Sequence, residues 1–79
     1  MLTRYVEEAL LRAKYERVDD GHWAATVPGL RGVIGVGATW EACRRELREV
    51  VEEWILVRVS RGLSIPKLGR ASIRIKKAS

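Results

Sequence analysis

The stretch Trp23 to Trp40, WAATVPGLRGVIGVGATW, decides the fold. It holds two short apolar runs, Trp23 to Val27 and Val33 to Val36, separated by Pro28-Gly29-Leu30-Arg31-Gly32, and it closes at a helix start at Thr39. Pro28 fixes φ near the value that a turn needs and removes a donor, while Gly29 and Gly32 accept the positive φ of a reversal. The stretch therefore predicts a hairpin delivered straight into a helix. Nothing in it calls for a catalytic explanation, and composition and spacing alone name no function.

Upstream, Leu2, Tyr5, Val6, Ala9, Leu10 and Ala13 recur at three- and four-residue steps with charges between them, which predicts a short amphipathic helix within residues 1–13, capped by Thr3. From Lys14 the period changes to two, so Lys14 to Val18 reads as a first strand, and Asp19-Asp20-Gly21-His22 as the turn after it. With the two central runs this makes a three-stranded antiparallel meander over residues 14–37. Gly35 and Gly37 weaken the third strand and mark either a bulge or a close approach of another backbone.

Downstream, Thr39 caps a long helix over residues 39–61. Trp40, Cys43, Leu47, Val50, Trp54 and Val57 form its stripe, and Val51, Ile55 and Val59 widen it. Leu56 stands apart, so the last turns, WILVRV, are expected to be wrapped in protein on several sides. Gly62 supplies the stop, with Arg58 and Arg61 near the negative end of the helix dipole. Ser72-Ile73-Arg74-Ile75-Lys76 alternates, which predicts a fourth strand at 71–77. The expected class is α+β, in the order αβββαβ, as one domain over residues 1–79.

A chain of 79 residues removes only roughly 60 to 65% of its unfolded surface from water. Help from self-association, as a homodimer or homotetramer, is expected, and Trp54, Ile55, Leu56 and Val59 are the residues for it. The net charge is +5, with 47% hydrophobic and 32% charged residues. Acids and bases interleave until Glu53, beyond which no acid occurs while bases accumulate. Arg70, Arg74, Lys76 and Lys77 are thus candidates for nucleic-acid contact, although basic residues at a sheet edge also discourage aggregation and no aromatic residue accompanies them. The single cysteine excludes an internal disulfide and fits a reducing compartment. The N-terminus reaches charge at once without a secretory pattern, and no run is long and apolar enough for a membrane, so a cytoplasmic protein is expected.

Few side chains invite chemistry. His22 beside Asp19-Asp20 reads as a solvated turn residue, because no second ligand set accompanies it. Cys43, at a stripe position with no histidine spaced to activate it, reads as a buried thiol. The glycines of Gly32-Val33-Ile34-Gly35-Val36-Gly37 fit neither the dinucleotide nor the Walker order. Glu41, Arg45, Glu49 and the pair Arg48, Glu52 sit four apart and read as an exposed, internally paired helix face. No enzyme, cofactor or metal is expected. Trp23 and the turn residues Pro28, Gly29, Leu30 and Arg31 are the candidates for binding a partner, as an aromatic anchor and a rigid loop.

The residues Trp23, Val27-Pro28-Gly29-Leu30-Arg31-Gly32, Gly37 and Thr39-Trp40-Glu41-Ala42-Cys43 resemble the signature of the HicB family of antitoxin-type domains. That signature is an aromatic strand, a Pro-x-Leu-x-Gly turn, a glycine, then a Thr-initiated helix, and the likeness covers Lys14 to Gly62. Gly29 stands where many members have Asp, Arg31 where Pro is common, Val33 where Cys is common and Ala42 where Glu is usual. The last change leaves Thr39 as a lone cap. Antitoxin members usually carry a C-terminal DNA-binding part, which is not expected here after Lys77, and they often begin at the first strand rather than at a helix. The resemblance implies a small sheet with a long helix, oligomerisation, and a HicA-like toxin as partner, a small mRNA-cleaving ribonuclease. A small RNA-binding module using the basic end, and an orphan structural oligomer without a toxin, are the other readings.

Overall fold

Two successive reversals set the middle of the molecule. In the first, the Leu30 N–H donates to Val27 O at 3.0 Å, with Pro28 second and Gly29 third at φ 93°. That arrangement is the one a type II turn requires. In the second, Gly32 takes φ 80° between Leu30 and Val33. Between the two, the Leu30 side chain is turned inward and buried, with Val27 and Val33 beside it.

The structure is a computed structural model that describes residues 2–69. Its elements are helix α1 (Leu2–Arg12), strands β1 (Lys14–Arg17), β2 (Trp23–Thr26) and β3 (Ile34–Gly37), and helix α2 (Trp40–Ser60). The strands form an antiparallel sheet in the order β1-β2-β3, so the molecule is the expected α+β domain. The predicted strand at 71–77 lies outside the described residues.

The register divides the sheet into two faces. Tyr15, Ala25 and Gly35 share one row and Arg17, Trp23 and Gly37 another, and this face carries the helices. Lys14, Thr26, Ile34 and Glu16, Ala24, Val36 point the other way, where nothing among the described residues covers them. The pairing of β2 with β3 runs without a break, so Gly35 and Gly37 mark no bulge. They mark close approach. A Cβ on Gly37 would lie 2.4 Å from the Cys43 amide nitrogen, and one on Gly35 would lie 2.8 Å from the Leu47 backbone. Helix α2 thus rests directly on the main chain of β3.

Thr39 caps α2 as expected: its backbone is extended and its hydroxyl accepts the Ala42 N–H at 3.0 Å. Thr3 is no cap, because α1 begins at Leu2 and places Thr3 inside the first turn. The buried ridge of α2 is Cys43, Leu47, Val51 and Ile55, a strict four-residue step, whereas Trp40 and Val57 of the expected stripe are exposed. A sheet of four-residue strands offers room for one ridge only. Its strands are about 13 Å long, whereas α2 extends about 31 Å, so the helix outruns the sheet. Its end is consequently not wrapped: Leu56 is 63% exposed, and Val57 and Val59 are each 42% exposed.

Helix α1 closes the core with Tyr5, Val6, Ala9 and Leu10, and the segment after α2 returns along it to bury Ile65 and Leu68. The Tyr5 hydroxyl donates to Pro66 O and pins that return. Glu7 of α1 pairs with both Arg44 and Arg48 of α2. These bridges between helices replace the expected pairing along α2: among the described residues, Glu8 with Arg12 is the i,i+4 ion pair.

Candidate protein-binding surface

The partner-binding candidates of the central stretch divide by burial. Pro28, Gly29 and Arg31 are exposed on the reversal, but Leu30 is a core residue, 4% exposed, and leaves the set. Trp23 is half-buried against the core with the Arg17 guanidinium over its ring, 5.8 Å from the ring centre, so it is not a freely exposed anchor. The self-association candidates separate likewise. Ile55 is 2% exposed because it completes the buried ridge, and it is withdrawn. Leu56 and Val59 are exposed one turn apart on α2, and Trp54 is half-buried beneath the Arg58 guanidinium at 5.0 Å. Arg70, Arg74, Lys76 and Lys77 lie outside the described residues.

Two further residues belong to the surface. Ile34 and Val36 are 54% and 49% exposed on the open face of the sheet, at the edge strand. The usual rule, apolar side chains inward, misplaces them. The signal was in the glycines: if Gly35 and Gly37 meet a helix backbone, the period of two turns Ile34 and Val36 outward. On this edge the Val36 N–H does not point to β2 but donates to the Glu46 carboxylate of α2 at 2.8 Å. One donor of the edge is thereby satisfied within the chain.

The titratable groups are placed without convergence. His22 is exposed in the β1–β2 turn, its Nδ1 2.9 Å from the Asp20 carboxylate, which also accepts the His22 backbone N–H. Those bonds, the backbone one first, hold the Asp20 carboxyl below its ordinary range. No group of three or more His, Cys, Asp or Glu among the described residues is arranged to hold a metal ion. Cys43 is fully buried with its thiol 3.5 Å from Gly35 O; burial, then the Glu46 charge, pushes its pKa up. No helix among the described residues is long and apolar enough to cross a membrane.

An antiparallel sheet backed by helices on one face, bare on the other among the described residues and overrun by its long helix, defines a small α+β domain. The chain matches the UPF0150-like family over residues 4–66 and belongs to that family. It is also similar to the crystal structure of TTHA0281 from Thermus thermophilus, with 38% identity, 96% of this chain and 95% of that chain covered, and a TM-score of 0.88. No curated protein matches.

Proposed function

We propose that this chain is a HicB-like, antitoxin-type protein-interaction domain whose partner is a small HicA-type toxin, a ribonuclease of mRNA that it holds inactive by covering the catalytic face. The observation that carries the reading is the bare face of the sheet, where Ile34 and Val36 stand exposed along an edge strand. Exposed β-branched residues in register on an edge suit a partner that adds to the sheet or packs across it. Membership in the UPF0150-like family and the signature from Trp23 to Cys43 support it further.

The test is growth of cells expressing the product of the neighbouring reading frame, with and without this chain. Arrest by the neighbour alone and rescue by the wild-type chain are expected. Ile34→Asp combined with Val36→Asp should keep the fold, since both side chains already meet solvent, yet lose the rescue. A neighbour that is harmless by itself counts against the toxin; rescue undiminished by the double variant counts against this face.

A further inference from the structure

Two segments distant in sequence meet at one end of the molecule. The reversal after β2 and the last turns of α2 enclose, with Pro66, a groove of about 200 Å³ lined by Gly29, Arg31, Trp54 and Arg58. Arg58 is held in place twice, by its stacking on Trp54 and by its Nε donating to Ser64 O at 2.7 Å. Its terminal nitrogens remain as donors. Arg31 projects from a turn whose backbone is fixed by the two reversals, and Gly29 leaves open space where a side chain would stand. Among the described residues no acid lines the groove, and none follows Glu53 in the sequence.

Two arginines lining one recess with no acid among its lining favour an anionic occupant, and the fork of Arg matches a carboxylate in the bidentate manner. The size suits one side chain. Single-stranded nucleic acid asks for a track of cations and free aromatic faces, whereas the face of Trp54 is already taken by Arg58. The larger groove at Trp40 is a poorer site: it contains Glu41, and its Arg44 and Arg48 are engaged by Glu7. We propose that the groove between the Pro28–Gly32 reversal and the end of α2 binds an Asp or Glu side chain presented by an acidic segment of a partner protein. This rests on the reading of the chain as a protein-binding domain, and it names the chemistry of the partner.

The experiment is a titration of the full ¹⁵N-labelled chain with decaglutamate. Saturable shifts of the Trp54 indole N–H, the Gly29 and Arg31 amides and the Arg58 Nε–H are expected. Arg31→Ala, on an exposed turn, and Arg58→Gln should each weaken binding by about tenfold or more. Arg45→Ala, which removes the same charge elsewhere, should leave it unchanged. Equal weakening by Arg45→Ala, or no shift at all, overturns the proposal. So does tighter binding of oligouridylate at the same resonances, which would assign the groove to nucleic acid. Shifts on concentrating the protein alone, lost on replacing Asp19 and Asp20 with Asn, would assign it to a second copy. A chain that rescues growth yet ignores decaglutamate sinks this proposal only; one that binds decaglutamate and rescues nothing sinks the toxin reading only.

Discussion

At Gly37 an added methyl group would land against the amide of Cys43, which belongs to helix backbone and has no flexible end to yield. Gly37→Ala should therefore lower stability by about 3 kcal/mol, read from urea denaturation; an unchanged midpoint would mean that α2 rides higher on the strand. Cys43 supplies a second measure of the same contact. Its thiol is buried and its pKa raised, so it should react with a thiol reagent only when α2 lifts from β3. Slow modification in the wild type, accelerated in Gly37→Ala, is the expected outcome, and rapid modification of the native wild type would refute it. At this scale the sequence was legible where a residue's own backbone decides: Pro28, Gly29 and Thr39 stand as read. It was illegible where a neighbour decides, since whether Leu30 faces in or out depends on the angle between two turns, and no local pattern records that angle.

Among the elements, α2 carries most of the consequences. Removing its cap with Thr39→Ala should cost about 1 kcal/mol, read as a lower thermal midpoint, because the Ala42 N–H loses its acceptor. The two faces of its last turns should respond in opposite ways to a new charge. Ile55→Asp places a carboxylate in the core and should unfold the chain, whereas Leu56→Asp with Val59→Asp alters only exposed positions and should leave the fold intact. If the overrunning end of α2 is where copies of this chain associate, the double variant should sediment as a monomer at concentrations where the wild type does not; identical sedimentation would remove that interface. The apolar excess of this helix was visible in the sequence. Which part of it the sheet would claim was not, because that follows from the ratio of helix length to strand length, fixed only when the strands stop at four residues.

Over the whole molecule, alkaline pH is the condition that tests how α1, β1 and the returning segment are held together. Burial raises the pKa of Tyr5 and of Tyr15 above the ordinary 10.0, opposed in part by Arg58 and Arg44 respectively. Unfolded tyrosines therefore lose their protons first, so this share of stability is complete below about pH 10 and is lost as pH rises through the folded-state values. Tyr5→Phe and Tyr15→Phe should each flatten the fall of the urea midpoint above that pH; equal slopes in variants and wild type would contradict it. Tyr5→Phe should also loosen the return segment, since its hydroxyl no longer reaches Pro66. Finally, because β3 gives the interior only main chain, its two outward side chains carry no duty in folding. Mutation is free to rewrite them without disturbing the scaffold, so the chemistry of that outer surface can drift from one descendant to the next while the architecture beneath stays still.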